Sequence, residues 1–256
     1  MRTRNQQRSV LAYHEVMPES NYTYCVSTGS FGQQLRLLQE CKAAGCDAQI
    51  TFDDGEQSQQ VHAAPLLAEH GFHATYFVTP GLIGSAGKFL SWEQLAELRR
   101  AGHSVQSHGW SHSFLTFCND EQLRHELSAS RQELEQKLGA PVDSISIPGG
   151  RWNRRVLRAA AQAGYKKVFV SEPWVHEAIE GVYVIGRFMV RKSTVLDELR
   201  KIVERDRKKL WTLKSRAQIK NSLVALVGDE RYHRLWCRLT GYNEFEEARQ
   251  HQYSRG

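Results

Sequence analysis

Gln49-Ile50-Thr51-Phe52-Asp53-Asp54-Gly55 is a short apolar, β-branched run that ends abruptly in two carboxylates and a glycine. Ile50, Thr51 and Phe52 favour an extended backbone, and Gly55 gives freedom to the turn that must follow. The run therefore reads as a buried strand, with Asp53 and Asp54 just past its C-terminal end. Successive side chains of an extended chain point to opposite sides, so the two acids can do different work. One can hold a metal while the other faces a metal-bound water. A solvated Asp-Asp-Gly turn accounts for the stretch when it is taken alone.

Outward from this stretch, strand and helix signals alternate. Residues 9–14 read as a first strand, ended by the turn around Pro18. Ser30 can cap a helix whose apolar positions Phe31, Leu35, Leu38 and Cys41 recur at helical spacing, closed by Gly45. Residues 61–70 are helical in pattern, with Pro65 bending the helix or marking its start, and 74–78 form a strand. Ser91 caps a helix stopped by Gly102, and the strand over 103–107 runs into His108. Asp120 caps a long helix carrying Leu123, Leu127, Leu134 and Leu138, closed by Gly139. Strands over 144–147, 167–170 and 182–185 follow, with a helix capped by Asn153 between the first two. This rhythm implies a parallel sheet, either open and doubly wound or curled into a barrel. Beyond Arg191 the pattern becomes helical and basic over 194–209, with shorter amphipathic stretches at 218–227 and 231–239 and a polar tail from 244. The expected division is a catalytic α/β domain over 1–191 and a basic helical C-terminal appendage over 192–256.

The chain has 256 residues, 41% of them hydrophobic, enough for a real core in one large domain or two small ones. No run approaches the ~20 apolar residues of a membrane span. The basic start lacks the apolar region and small-residue cleavage site of a signal peptide. Cys25, Cys41, Cys46, Cys118 and Cys237 are odd in number and show no CxxC. They read as reduced thiols of a cytoplasmic protein rather than a disulfide frame or a zinc ribbon. The net charge is +6, and much of the excess lies between Arg187 and Lys220. The run through Arg200, Lys201, Arg205, Arg207, Lys208, Lys209, Lys214, Arg216 and Lys220 is either a solvated face or one that meets an anionic membrane surface or a diphosphate-linked glycan. No helix-turn-helix, RNP or zinc-finger pattern is present, so nucleic acid is not an expected partner.

His108-Gly109-Trp110-Ser111-His112 sets two imidazoles four apart, one face of a helical turn and a spacing suited to two ligands of one ion. The pair begins where a strand ends, the same topological position as Asp53 and Asp54. In parallel α/β folds these strand ends share one rim. Asp54, His108 and His112 can therefore converge from distant parts of the chain. One oxygen and two nitrogens with open positions suit zinc, or cobalt or nickel in its place. His14 also ends a strand and reaches the same rim. A strand-end histidine satisfied by a backbone carbonyl is its plain alternative.

With these motifs in view the chain resembles the polysaccharide deacetylases of the NodB-homology group. The resemblance rests on Thr51-Phe52-Asp53-Asp54-Gly55, on Ser107-His108-x-x-x-His112, and on Ile147-Pro148-Gly149-Gly150 with Asn153. It spans residues 9–187 and implies a distorted, incomplete (β/α) barrel. It makes Asp53 the general base and Asp54, His108 and His112 the metal ligands. It also places Pro148, Gly149 and Gly150 at the acetyl site, with an N–H near Gly149 in the oxyanion hole. Two departures stand out. An arginine two residues before the motif proline is replaced by Ser146, for which Arg151 or Arg187 are substitutes, and the late Leu-x-His that supplies the general acid is missing. Leu11-Ala12-Tyr13-His14-Glu15-Val16 resembles the opening motif of the biofilm poly-N-acetylglucosamine deacetylases, in which the motifs are permuted and an early histidine takes the acid's place. That makes His14 the candidate acid. Trp174, just past a strand, is either a wall for the acetyl group or sugar, or a core tryptophan. The implied activity is metal-dependent hydrolysis of N-acetyl groups from a surface-polysaccharide or lipid-linked precursor glycan. An inactive carbohydrate-binding relative and a hydrolase of another small amide are the alternatives.

Overall fold

The computed structural model describes residues 8–85 and 87–227. The stretches at 231–239 and beyond 244, and Cys237, lie outside them. The elements are β1 (Ser9–Tyr13), β2 (Glu15–Met17), β3 (Cys25–Ser27), α1 (Thr28–Ala43), β4 (Ala48–Phe52), α2 (Ala64–Glu69), β5 (Ala74–Val78), α3 (Trp92–Arg100), β6 (Ser104–Ser107), α4 (Asp120–Arg124), α5 (Ser130–Leu138), β7 (Ser144–Ser146), α6 (Arg154–Gln162), β8 (Lys167–Val170), β9 (His176–Ile179), β10 (Val182–Gly186), β11 (Phe188–Met189), α7 (Leu196–Val203) and α8 (Arg207–Val227). Two π-helical turns, Gln59–Ala63 and His125–Ala129, run directly into α2 and α5.

Nine strands form one sheet in the order β11-β1-β4-β5-β6-β7-β8-β10-β9, and every pairing is parallel except that of β9 with β10. Arg187 alone separates β10 from β11, yet β10 pairs with β8 and β11 pairs with β1, at the far side of the order. The sheet therefore curls back on itself through one broken strand, giving the incomplete (β/α) barrel. Such a sheet carries apolar side chains on both faces. Leu11, Ala12, Ile50, Phe52, Tyr76, Phe77, Ile145 and Val168 are accordingly buried, and Leu35, Leu38, Leu95, Leu134 and Leu157 cover them from the helices.

Several helix starts differ from the sequence expectation. The cap of α1 lies three residues before Ser30, at Ser27, whose side chain accepts from Ser30 N–H, so the helix begins at Thr28. Asn119, not Asp120, caps α4. It forms a reciprocal capping box with Gln122, and Asp120 instead pairs with Arg155 at 2.8 Å. Pro65 sits at the start of α2, after a wide π turn that absorbs its missing N–H.

The first compact unit runs to Asp206, past the boundary expected at 191. The reason is apolar: Leu199, Ile202 and Val203 of α7 are buried, and Ser9 Oγ donates to the Ile202 carbonyl at 2.7 Å. Thus α7 is one of the helices covering the sheet. The helix expected over 194–209 is broken at Arg205, whose φ is +55°. The second unit begins with α8, a single helix carrying exposed Arg207, Lys208, Lys214 and Arg216. Among the described residues no helix is long and apolar enough to cross a membrane.

Candidate active site

The C-terminal ends of β1, β4, β6, β7 and β8 bring His14, Asp53, Asp54, His108, the Pro148–Gly150 turn and Trp174 to one rim. Asp54 Oδ1 lies 3.3 Å from His108 Nε2 and 3.2 Å from His112 Nε2. That oxygen is buried and has no hydrogen-bond partner. The three ligand atoms lie within 4.8 Å of one another. Two ligands about 2.1 Å from one tetrahedral ion sit about 3.4 Å apart, so the spacing and the orphaned oxygen both fit a divalent ion.

The donor set is oriented before any ion arrives. His108 Nδ1–H donates to the Ser146 carbonyl at 2.9 Å, which leaves Nε2 with its lone pair toward Asp54. Asp54 and His112 have φ of +75° and +63°. Only four non-glycine residues among those described have positive φ, and two of them are in this triad. Such backbone costs about 1–3 kcal/mol per residue and persists where the surroundings over-determine it. The histidine pair is not on a helical turn, as its spacing suggested. Residues 108–112 form a loop in which Gly109 (φ +78°) and His112 turn back, and this reversal folds both rings onto one carboxylate. Burial pushes the Asp54 carboxyl up, but the imidazoles of His112 and His108 beside it outweigh this and hold it well below the usual range.

Asp53 points the other way, into the curl of the sheet. Its carboxylate receives a two-pronged pair from Arg187, Nη1 to Oδ1 and Nη2 to Oδ2, both at 2.7 Å. Arg187 Nη2 also donates to Ser146 Oγ at 2.6 Å, and Nη1 to Thr51 Oγ1 at 3.1 Å. Ser146 Oγ donates to Asp53 Oδ2 at 3.2 Å. Of the two substitutes considered for the missing arginine, Arg187 is the one that reaches Asp53, and Ser146 is small enough to admit it. The guanidinium is 1% exposed and lies over Phe77 and Phe169, with 5.4 and 6.0 Å to the ring centroids. Arg151 lies instead over Phe114, 4.9 Å from its centroid. Burial pushes the Asp53 carboxyl up, yet Arg187, then His108 and His14, bring it below its ordinary value.

His14 sits at the end of β1 with its ring 5.0 Å from Tyr24, and its Nδ1 is buried without a partner. A backbone carbonyl does not satisfy it. Burial lowers its pKa against the pull of Asp54 and Asp53. Gln59, from the first π turn, donates from one amide nitrogen to the carbonyls of both His14 (2.9 Å) and Asp53 (2.5 Å), tying two strand ends together. Sequence reasoning missed Gln59, which stands in a helical pattern whose phase the π turn shifts. Gly149 has φ +63°, and a Cβ there would fall 2.3 Å from Phe114. Trp174 is half-buried in the turn after β8, and its indole makes no hydrogen bond or ring contact among the described residues.

A family model described as polysaccharide deacetylase matches residues 42–168. YxkH of Bacillus subtilis (strain 168), classed by name with the polysaccharide deacetylases, is 31% identical over 156 residues, 61% of this chain and 56% of that protein. The peptidoglycan-N-acetylglucosamine deacetylase of Bacillus cereus is 27% identical over 139 residues, 52% of this chain and 62% of its own length. These alignments span little more than half of either relative. Among solved structures, the Streptococcus pyogenes deacetylase PplD, in complex with acetate, superposes with a TM-score of 0.67 at 24% identity, covering 77% of this chain and 97% of that one. That likeness establishes the fold.

Proposed function

The chain belongs to the polysaccharide deacetylase family, and we propose that it is a metal-dependent hydrolase removing N-acetyl groups from an N-acetylated sugar or glycan. The observation that carries this reading is the junction of two sites on adjacent residues. Asp54 faces His108 and His112 with a bare oxygen, while Asp53 is locked by Arg187.

Asp54, His108 and His112 would hold the ion, zinc in the first instance and cobalt or nickel as substitutes. A divalent ion there would polarise the amide carbonyl and lower the pKa of water. Asp53 then takes the proton of the attacking water, its carboxylate fixed in orientation by the two-pronged guanidinium. The N–H of Gly149 meets the developing oxyanion. His14 protonates the departing amine. Burial lowers the pKa of His14, and the carboxylates of Asp54 and Asp53 oppose that shift. Trp174 serves as an apolar wall beside the acetyl group or the sugar.

Retention of Asp53 with a counter-ion in place favours an enzyme over an inactive carbohydrate-binding relative, because a binding module has little use for an oriented base. The name of the Bacillus cereus relative supports an N-acetylglucosamine-containing polymer as the substrate class. Acetate release over a panel of N-acetylated glycans, with and without added zinc, cobalt and nickel, tests the reading. Asp53→Asn should lower turnover by roughly 10²–10⁴ with metal content unchanged. His14→Ala should slow turnover and also leave metal content alone. A wild-type protein inert on the whole panel, yet binding some of its members, would instead be the inactive relative.

A further inference from the structure

We propose that Glu126 is the positioning residue of the metal-binding loop: its carboxylate is a built-in anion around which residues 109–112 fold, and it sets the affinity with which His112 meets a divalent ion. The proposal rests on the reading of Asp54, His108 and His112 as metal ligands.

The loop between the two histidines has no helical hydrogen bonds to hold it, so its amides must be answered elsewhere. Gly109 N–H donates to Ser107 Oγ at 3.2 Å, and Ser107 is in turn bonded to Ser130 at 2.7 Å. Trp110 N–H and Ser111 N–H both donate to Glu126 Oε2, at 2.8 and 3.0 Å. Ser111 Oγ donates to Glu126 Oε1 at 2.5 Å. Three successive residues are thereby tied to one helical segment. Consecutive N–H groups converging on an oxygen form a nest, a concavity suited to an anion, and here the anion belongs to the protein. Glu126 is 6% exposed, and among the described residues no cationic side chain forms an ion pair with it. A buried carboxylate without partners is costly. The loop amides are what offset that cost, so the loop and the carboxylate stabilise each other.

Steric fit restricts the arrangement further. A Cβ on Gly109 would lie 3.1 Å from Glu126 Oε2. On the opposite side, Gly81 N–H donates to the Trp110 carbonyl at 2.9 Å, and a Cβ on Gly81 would come within 2.6 Å of that oxygen. The loop is clamped from both sides, and its last residue is His112 in a left-handed backbone. Glu126 itself is delivered by the π turn His125–Ala129. The wider turn there shifts the helix phase and carries an acid inward beside Leu127, while Leu123 and Leu134 keep to the core. Glu126 touches no reacting atom. It acts through the backbone that aims His112.

Glu126→Gln keeps the size but removes one acceptor and the negative charge on which the two loop N–H groups converge, setting an N–H₂ against Ser111 Oγ or the loop amides. The measurements on full-length protein are zinc affinity by chelator competition, the visible absorption of the cobalt-loaded protein, and the thermal midpoint of the metal-free form. Zinc affinity should fall by about 10- to 100-fold, as for other outer partners of metal ligands, and the cobalt spectrum should change. Ser111→Ala, which removes the hydroxyl contacts to Oε1 and to Ser113 Oγ and keeps both loop amides on Oε2, should move both in the same direction by less. If Glu126→Gln keeps wild-type zinc affinity and cobalt spectrum and only the metal-free midpoint drops, Glu126 is a fold brace and the proposal fails. Should Glu126→Gln not fold, wild-type values in Ser111→Ala overturn it. A wild-type protein that binds no divalent ion would remove the metal reading and this proposal together.

Discussion

At the level of single residues, the two acids of one dipeptide are separated chemically by what each faces. Asp54 faces imidazole nitrogens and Asp53 faces a guanidinium, because the chain leaves the strand after Phe52 and turns left-handed at Asp54, where φ is +75°. The motif dipeptide and the H-x-x-x-H pair were legible because metal-ligand residue types recur at the ends of two strands that share one rim. Arg187 was one candidate of two, and no local pattern favours it, because its contact with Asp53 depends on strand pairing across opposite ends of the sheet order. Glu126 was hidden by the π turn, which displaces it from the phase an α-helical reading assigns. Arg187 yields a pH prediction. Asp53 has a folded pKa below its ordinary 3.8. Its contribution to stability is therefore present above that value and lost as pH falls through the folded one. Removing the guanidinium leaves burial unopposed by its strongest counter-charge, so the pKa of Asp53 rises. In Arg187→Met the acid limb of kcat/KM should move to higher pH, and stability should drop by about 3–5 kcal/mol, the cost of stranding a buried charge. An acid limb that stays in place in a folded, metal-loaded variant would show that Arg187 does not tune the base.

Elements of the fold were largely readable, and the misses have definite causes. The parallel strands from β1 to β8 fall where apolar β-branched runs meet turn residues. The edge pieces β2, β3, β9 and β11 are two to four residues long and carry no pattern of their own. Helix starts slipped by one to three residues wherever two capping residues compete, as at Ser27 against Ser30 and Asn119 against Asp120. The turn Pro148–Gly150 shows how an element's conformation is enforced by its neighbour. Phe114, from the loop after His112, occupies the space that a side chain at 149 would need. Gly149→Ala combines this overlap with a positive φ. It should cost about 1–3 kcal/mol and displace the amide proposed to meet the oxyanion, lowering kcat more than it raises KM. Thermal melts and steady-state kinetics on one preparation read both effects, and a variant with unaltered kcat would exclude the Gly149 amide from the reaction.

On the scale of the whole molecule, every residue of the proposed site lies in the unit that ends at Asp206. The shift of that boundary from 191 was invisible in sequence because Arg200 and Lys201 of α7 read as the start of the basic run that continues into α8, and only burial of Leu199, Ile202 and Val203 assigns α7 to the sheet. A chain ended after Asp206 should therefore fold, bind one divalent ion and release acetate at close to the full-length rate. Loss of metal binding on that truncation would place part of the site's support in α8 or beyond. The broken strand at Arg187 has a bearing on how the protein is made. Ribosomes deliver Asp53 early and its counter-ion 134 residues later, when the last strand closes the curl between β8 and β1. Until then Asp53 lacks its guanidinium, and β8 and β1 lack the segment that links them. A nascent or clipped chain that stops short of Arg187 should therefore carry a buried carboxylate without its counter-charge, a state that a shortened chain compared with the whole one by thermal melting would reveal.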